Sequence, residues 1–421
     1  MRALFSAVLT PLSGALLLMI SHTLLAANPI LIGMNYPATG RYKEQGFAQA
    51  NGALLAVDEI NQAGGVLGRP LQLKLADTGS DPAKAVANVK ALAADGVSVL
   101  MGGASTPVAI AAGKEAARHQ LIYFGAVTAA NQTTTEEGQR YMFRQYYNAW
   151  MIGEALASYL NTEFAGKRIF YLTADYAAGT STEDSLRQLT HSTDRSQHPG
   201  VLVRYPNPRR SDFTDALKQA ADAHPDVLVV IQFGSDLSTA LGMIRSQGLA
   251  KTMQVVTPAV NLDVARQIGA AALQGVVSTV PWYWHVPYQY GYVRGQAFVE
   301  AYRQRYAMMP SNSAATGYDI VYQFADAARR AGTLDSEALI RALEGHRYQL
   351  LKDEQSWRAF DHQNVQTVYL VRGRNRDDVM TEKSKAHFFD VIGALSGEQT
   401  VQSYEVWADA RKKAGQPLAL Q

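Results

Sequence analysis

Short apolar runs alternate with amphipathic stretches along most of the chain from residue 30 onward. Residues 30–34 predict a buried strand, and residues 46–63 predict a helix whose apolar positions recur every three or four residues. Gly64 and Gly65 then supply the signal that ends this helix. A chain that repeats such a unit is expected to form parallel sheets covered by helices.

The same alternation of predicted strands and helices continues toward the C-terminus. Leu71, Leu73 and Leu75 alternate as a second strand, and Asp81 and Pro82 favour the start of the next helix, as N-cap and first-turn proline. The chain contains more of these strand–helix units than a single sheet usually holds. We therefore expect an α/β protein of two lobes. Further strands are predicted at residues 97–101, 121–124, 168–172, 201–205, 227–233, 254–256 and 276–280.

Two segments are candidates for crossovers between the lobes. Residues 141–149 are aromatic and lack a strong helical period, and residues 280–288 precede two helical stretches that would return to the first lobe. Those helices are predicted at residues 292–306 and 314–330. The expected division assigns residues 28–145 and 282–342 to lobe 1, residues 146–281 and 343–375 to lobe 2, and residues 376–421 to a C-terminal extension of uncertain placement.

The first 27 residues are typical of a secretory signal peptide. Arg2 precedes an apolar segment at residues 3–20, and the small residues Ala26 and Ala27 come before Asn28. The alternative is a retained membrane anchor, because the apolar segment is nearly long enough to span a bilayer. We expect cleavage before Asn28 and export to the periplasm of a Gram-negative cell.

Composition narrows the classes of function. The chain has 39 basic and 37 acidic residues, so it lacks the excess of positive charge that nucleic-acid binding calls for. It has no cysteine, which excludes disulfides, thiolate metal sites and a cysteine nucleophile. Its histidines are scattered, and it contains no dinucleotide fingerprint, Walker lysine or nucleophile elbow. We therefore predict no enzymatic activity, no cofactor, no metal and no nucleic-acid partner.

A series of short motifs points to one family. In order along the chain, these motifs lie at residues 32–33, 37–40, 58–70, 77–82, 102–106, 144, 175–176, 211–213 and 314–319. Together they resemble the type I periplasmic binding proteins, in particular the leucine/isoleucine/valine-binding and amide- or urea-binding branch. The resemblance covers roughly residues 30–371. It implies two doubly wound parallel-sheet lobes joined by a three-crossover hinge, with solute held in the cleft between them.

The resemblance also implies a function. We expect the periplasmic substrate-binding component of an ABC importer, which captures a small organic solute and delivers it to the permease and ATPase subunits in the inner membrane. The solute classes left open are a branched-chain amino acid-like compound, an amide and a carboxylate. The alternative is a periplasmic ligand sensor that presents its bound solute to a signalling partner.

Candidate ligand contacts of the first lobe follow two predicted strands. Ser105 and Thr106 lie in a glycine-rich segment that opens a helix at Pro107, where backbone N–H groups and hydroxyls can converge on an anion. The resemblance places Ser105 on a bound carboxylate, whereas Thr106 is either a contact or the helix N-cap. Val127 and Thr128 follow the next strand. Thr128 matches the family's second cleft hydroxyl, or it caps a turn.

The remaining candidates come from other loops. Tyr176 matches a family tyrosine that reaches the solute from the second lobe, and Gln232 and Phe233 end a predicted strand. Gln45 falls where some relatives carry an aromatic residue over the ligand, or else it lies on an exposed loop. Trp282 is on the second predicted crossover, where it forms an aromatic wall for the solute or packs the hinge.

Ala259 bears on the charge of the solute. The resemblance implies that amino-acid binders carry a carboxylate at this position, which pairs with the solute's ammonium group. Alanine would leave a buried ammonium unpaired unless Asp236 or Asp263 takes its place, and an unpaired buried charge is costly. The sequence therefore favours a solute without an α-ammonium group.

Overall fold

The structure is a computed structural model, and it describes residues 28–421. The predicted signal peptide at residues 1–27 lies outside the described residues. Within residues 28–421, none of the helices combines the length and the apolar character needed to cross a bilayer.

The first lobe is built on a five-stranded, all-parallel sheet of order β2-β1-β3-β4-β5. Its strands are β1 (Ile30–Tyr36), β2 (Leu71–Asp77), β3 (Val99–Gly102), β4 (Tyr123–Gly125) and β5 (Met142–Arg144). Its first three helices are α1 (Lys43–Gln62), α2 (Pro82–Ala94) and α3 (Thr106–Arg118). The Asp81 cap of α2 is confirmed, because its carboxylate accepts a hydrogen bond of 2.7 Å from the Lys84 N–H.

Strand β5 differs from the prediction that residues 141–149 form a crossover. Met142, Phe143 and Arg144 pair in parallel with β4, and only residues 145–148 connect the lobes. A three-residue edge strand is too short to show a period of two along the sequence. Its pattern therefore could not be told from that of a loop.

The second lobe contains a parallel sheet whose central strand, β8, is buried at all five positions. A strand covered by helices on both faces reads as a continuous apolar run, and β8 has the sequence VLVVI. The parallel strands are β6 (Ile169–Ala174), β7 (Gly200–Val203), β8 (Val227–Ile231), β9 (Gln254–Ala259) and β10 (Val277–Val280). The helices are α4 (Ala149–Glu163), α5 (Ala177–Leu189), α6 (Arg210–Asp222), α7 (Gly234–Ser246), α8 (Leu262–Ile268) and α9 (Ala270–Leu273).

The chain then returns to the first lobe, where α12 packs along α1. The two helices approach so closely that a β-carbon on Gly52 would lie 1.9 Å from the Ala314 carbonyl oxygen. The returning elements are α10 (Val286–Tyr290), α11 (Val293–Tyr306), α12 (Asn312–Ala331), α13 (Ser336–Leu343) and the antiparallel strands β11 (Arg347–Tyr348), β12 (Gln355–Trp357) and β13 (Asn364–Val365).

The small antiparallel sheet contacts the first lobe. Trp357 of β12 packs against Phe124 and Phe143, with ring centroids 5.6 and 5.4 Å away. Residues 343–375, which the sequence analysis assigned to the second lobe, therefore include a segment that packs on the first.

The C-terminal region belongs to both lobes. The antiparallel strands β14 and β15 complete the second sheet in the order β15-β14-β10-β9-β8-β6-β7. The final helix, α16, is anchored to the first lobe, because the Trp407 indole donates to the Thr134 carbonyl at 2.9 Å and the Arg411 side chain donates to the Thr135 carbonyl at 2.6 Å. The elements are β14 (Val368–Gly373), α14 (Arg376–Thr381), β15 (Phe389–Leu395), α15 (Gly397–Thr400) and α16 (Tyr404–Lys413).

A buried lysine is at the centre of a hydrogen-bond network that links the three connections between the lobes. The Lys352 ammonium group donates to the carbonyl oxygens of Pro281 and Thr367 at 2.6 and 2.8 Å, and to the Gln366 side-chain oxygen at 3.0 Å. The Gln366 amide in turn donates to the Gln145 carbonyl at 2.6 Å. The two-lobe fold with three crossovers is therefore confirmed, and its hinge has a polar centre.

Candidate functional site

A cavity lies between the two lobes, where loops leave the carboxyl ends of parallel strands. It encloses about 600 Å³, counting the part that is open to solvent. The first lobe and first crossover contribute Tyr42, Gln45, Ala104, Ser105, Thr106, Val127, Thr128, Ala129 and Tyr146. The second lobe contributes Tyr176, Ala178, Phe233, Gly234, Leu237, Ala259, Asn261 and Val264. Open α/β sheets place their ligands at such strand ends.

The start of α3 directs polar groups to the cavity. Gly102 has φ of +132°, and a β-carbon there would lie 2.3 Å from the Asn35 carbonyl oxygen, so the turn requires glycine. Helix α3 begins at Thr106, which makes Ser105 the N-cap and Pro107 the second helical residue. The N-cap interpretation of Thr106 is therefore wrong. Ser105 is 8% exposed, and its side chain makes no capping hydrogen bond within the described chain.

Three buried threonines form a directed chain of hydroxyl groups. The Thr128 hydroxyl donates to the Thr106 hydroxyl oxygen at 3.3 Å, and the Ala130 N–H donates to the same oxygen at 3.3 Å. The Thr133 hydroxyl lies 3.2 Å from that of Thr128, and it is the donor in the arrangement in which the Thr128 hydrogen points to Thr106. In this arrangement Thr106 accepts two hydrogen bonds, and its own hydroxyl makes no donor contact within the described chain.

The second lobe supplies aromatic side chains. Tyr176 stacks on Tyr205, with centroids 4.0 Å apart and planes inclined by 13°, and it meets Phe233 at 89° with centroids 5.6 Å apart. Burial raises the pKa of Tyr176, so its hydroxyl stays neutral. Ala259 ends β9 and lines the wall, and its methyl side chain carries no polar atom.

Several contacts join the lobes beside the cavity. Arg41, from the loop before α1, forms an ion pair with Asp236 of the second lobe and donates a hydrogen bond of 2.8 Å to Asn207. The Tyr42 and Tyr205 hydroxyls lie 3.2 Å apart and form a second bridge. The structure therefore has the lobes closed over the cavity.

Eight of the ten predicted contacts line the cavity: Gln45, Ser105, Thr106, Val127, Thr128, Tyr176, Phe233 and Ala259. Gln232 and Trp282 do not. Gln232 immediately precedes Phe233 in extended chain, where successive side chains point to opposite sides. Trp282 is 4% exposed and packs edge to face on Phe298, at a centroid distance of 5.7 Å. Of the two roles predicted for it, packing of the hinge therefore agrees with its position.

Sequence reasoning did not single out several lining residues. Tyr146 lies on the first crossover, directly after a run of aromatic and polar residues without a period. Leu237 and Val264 lie one turn into α7 and α8, the helices that follow β8 and β9. Leu237 and Val264 could have been predicted from the sequence, because each lies in the first turn of a helix that follows the end of a strand.

The two acids considered as ammonium partners do not line the cavity. Asp236 is engaged with Arg41. Asp263 lines a separate groove with Phe47 and Tyr302, and its carboxylate lies 3.6 Å from the Arg266 guanidinium. Burial raises the pKa of Asp263 to about 6. Among the described residues that line the cavity itself, none is acidic or basic.

No cluster of three or more histidine, cysteine, aspartate or glutamate side chains suited to a metal ion occurs within residues 28–421. The titratable groups of the cavity wall are tyrosines, and burial raises the pKa of Tyr42, Tyr146 and Tyr176 alike. Such a wall offers neutral hydroxyl, amide and apolar surfaces to a ligand.

Comparisons with known proteins agree with this architecture. A family model described as periplasmic binding protein matches residues 29–378. The Leu/Ile/Val-binding protein homolog 1 of Brucella abortus is 24% identical over 317 residues, which cover 75% of this chain and 82% of that protein. A solved periplasmic binding protein from Burkholderia mallei superposes with a TM-score of 0.80 at 23% identity, covering 90% of this chain and 98% of that one. An amino acid ABC transporter substrate-binding protein from Pseudomonas fluorescens gives a TM-score of 0.78 at 26% identity, with coverage of 88% and 96%.

Proposed function

Because this chain belongs to the periplasmic binding protein family, we propose that it captures a small organic solute between its lobes and delivers it to an ABC importer. The observation that carries the proposal is the cavity, which residues of both lobes line and which ion-pair and hydroxyl contacts close. A ligand that touches both lobes favours the closed state in proportion to its differential affinity for that state. Solute binding would therefore be read out as a change of shape.

The partners of this function are a permease and an ATPase in the inner membrane. The predicted export signal at residues 1–27 supports a periplasmic location. The matched Brucella relative is named as a homolog of a Leu/Ile/Val-binding protein, and the Pseudomonas structure as an amino acid ABC transporter substrate-binding protein. Both names support import of a solute about as large as an amino acid.

The solute is anchored by a carboxylate or amide at the start of α3. Ser105 and Thr106 each have a hydroxyl hydrogen free for an acceptor, and the N–H groups at a helix start favour negative charge. The uncharged wall leaves an α-ammonium group without a partner, which disfavours zwitterionic amino acids. Thr128 supports the anchor through Thr106.

A thermal-shift screen with the mature protein tests the proposal. Amino acids, amides, short-chain acids and aromatic acids are added singly, and a ligand of the folded state raises the melting temperature. The positive solute is then followed in uptake assays on cells that lack the gene, complemented by the parent or by Ser105→Ala. We expect uptake only with the parent. Binding without any effect of the gene on uptake would instead support the sensor function.

A further inference from the structure

A second groove lies between the lobes, next to the first crossover. One rim is formed by residues 131–136 and helix α16 of the first lobe, and the other by α4 and α5 of the second lobe. The groove encloses about 1210 Å³, counting the part that is open to solvent, and it shares no lining residue with the solute cavity. We propose that this groove is a second ligand site, and that its ligand is a linear polyamine, an alkyl chain that carries two or more ammonium groups.

Acidic side chains outnumber basic ones in the groove. Its lining has three carboxylates, from Glu136, Asp184 and Asp409, and one ammonium group, from Lys413. Lys413 pairs with Asp409 at 2.6 Å within α16. The other two carboxylates lie on opposite rims, Glu136 on the first lobe and Asp184 on the second. A ligand with several positive charges can therefore approach both.

The arginines near Asp184 are engaged by a different acid. Arg187 and Arg195 pair with Glu183, at 2.6 and 3.0 Å. Burial, and after it the Glu183 carboxylate, raises the pKa of Asp184. A cation bound beside Asp184 would stabilise its ionised form, because an opposite charge offsets both causes of that rise.

The arginine near Glu136 is held by backbone groups. The Arg411 guanidinium donates to the carbonyl oxygens of Thr135 and Gly138, at 2.6 and 3.0 Å. The Glu136 carboxylate accepts a hydrogen bond from the Thr135 hydroxyl. It therefore keeps further acceptor capacity on the rim of the groove, since a carboxylate can accept several hydrogen bonds.

The neutral side chains of the groove leave acceptors unused. Gln402 is 5% exposed, and the side-chain oxygens of Gln402 and Gln132 have no hydrogen-bond partner among the described residues. Two donors of the lining are already engaged, because the Asn131 amide donates to the Ser185 hydroxyl at 3.0 Å and that hydroxyl donates to the Ser181 carbonyl at 2.8 Å. A buried acceptor without a donor is unfavourable. Such a lining fits a ligand that brings N–H donors together with positive charge.

Apolar groups complete the groove. Val406 and Ala410 line it from α16, and Trp150 lines it from α4. The methylene groups of a polyamine are stabilised by contact with such a surface, and an aromatic ring attracts a cation over its face. A hydrated metal ion uses neither contact, and residues 28–421 contain no cluster of acids and histidines suited to one. The lining therefore favours an organic cation.

Calorimetry on the mature protein without solute tests the inference. Spermidine, putrescine and butylamine are titrated singly in a buffer of low ionic strength, because salt screens exposed charges. We expect spermidine to bind about tenfold tighter than butylamine, which carries a single ammonium group, with putrescine between them. Equal binding of spermidine and butylamine, or no heat with spermidine, would refute the polyamine site.

Two variants, one from each rim, locate the site. Glu136→Gln and Asp184→Asn should each weaken spermidine binding about two- to fivefold, as expected for the loss of a partly exposed charge pair, and the double variant should weaken it about tenfold. Asp215→Asn is the matched control, because Asp215 is an exposed acid on α6 of the second lobe and lies outside the groove. It should leave the affinity for spermidine unchanged. The melting temperature of each variant checks that the fold is retained.

The outcomes separate this site from the solute cavity and from a diffuse attraction of charges. Ser105→Ala changes the cavity and should leave spermidine binding intact, so a loss of binding in this variant would place the polyamine in the cavity and refute the inference. If Asp215→Asn weakens binding as much as Asp184→Asn, the attraction is diffuse and the inference is wrong. In either case the proposed function stands, because it depends on the cavity alone.

Discussion

Arg41 in the first lobe and Asp236 in the second form an ion pair directly beside the cavity, with each side chain 13% exposed. The Arg41 guanidinium also lies 5.1 Å from the centre of the Tyr205 ring. These contacts involve no solute atom, so they stabilise the closed form independently of what is bound. They add to the affinity for any solute that needs closure.

Arg41→Met should therefore open the protein and speed the release of solute. We expect the dissociation constant to rise about three- to tenfold, mostly through a faster dissociation rate, because the pair is partly buried. Stopped-flow dissociation and small-angle scattering of the solute-free protein measure the two effects. Lys43→Met is the control, because Lys43 is more exposed and lies 4.0 Å from Glu44 of its own helix. Unchanged dissociation in Arg41→Met would show that the pair does not hold the lobes together.

The hydroxyl chain predicts an order of effects among three conservative variants. Thr106→Val removes the hydrogen that faces the cavity and should weaken binding of a carboxylate about ten- to a hundredfold. Thr106→Ser keeps the hydroxyl and should restore most of that loss. Thr133 contacts the cavity only through the hydroxyls of Thr128 and Thr106. Thr133→Val should therefore weaken binding of the carboxylate only about two- to threefold, through its effect on Thr128. Calorimetry with the identified solute measures the affinity of all three variants. An equal loss of affinity in Thr106→Val and Thr106→Ser would show that the Thr106 hydroxyl does not bind the solute.

Much of the fold could be predicted because its buried strands carry an unambiguous pattern. The run at residues 227–231 is apolar at every position, as a strand covered on both faces must be. Strand β5 and the small sheet around Trp357 escaped prediction, because two- and three-residue strands show no period and depend on tertiary contacts. The C-terminal extension was unplaced for the same reason, since Trp407 and Arg411 find their partners far away in sequence.

The site was predicted to the extent that chain position determines it. Ser105 and Thr128 follow strand ends, where position alone brings them to the cleft. It was harder to predict which of two adjacent residues at a strand end lines the cavity. Successive side chains of an extended chain point in opposite directions, as Gln232 and Phe233 show. The engagement of Asp236 with Arg41 joins residues 195 positions apart, which no local pattern reveals.

Lys352 should be essential for the stability of the hinge. Replacing it by methionine leaves the carbonyl oxygens of Pro281 and Thr367 buried without their donor, which costs about 2–5 kcal/mol of unfolding free energy. Urea denaturation of the parent and variant measures the difference. Lys43→Met, which removes an exposed lysine, should cost less than about 0.5 kcal/mol. A similar small loss in Lys352→Met would mean that water replaces the ammonium group.

Asp319 gives the clearest dependence of stability on pH. It lies buried on α12, where the Gln145 amide is 3.4 Å from one carboxylate oxygen and the other oxygen has no protein partner among the described residues. Burial raises its pKa to about 7, although the nearby Lys352 acts in the opposite direction. Tyr348 and Gln355 belong to the same buried cluster.

The sign of the effect follows from the raised pKa. The unfolded chain releases the Asp319 proton near pH 4, whereas the native protein holds it until about pH 7, so the native state loses stability between these values. Asp319→Asn keeps the shape and removes the titration. Its melting temperature should exceed that of the parent at pH 8 and equal it at pH 4, as measured by differential scanning fluorimetry in both buffers. A gain of the same size at both pH values would point to packing, and a loss at pH 8 would show that the ionised carboxylate is stabilised by Lys352.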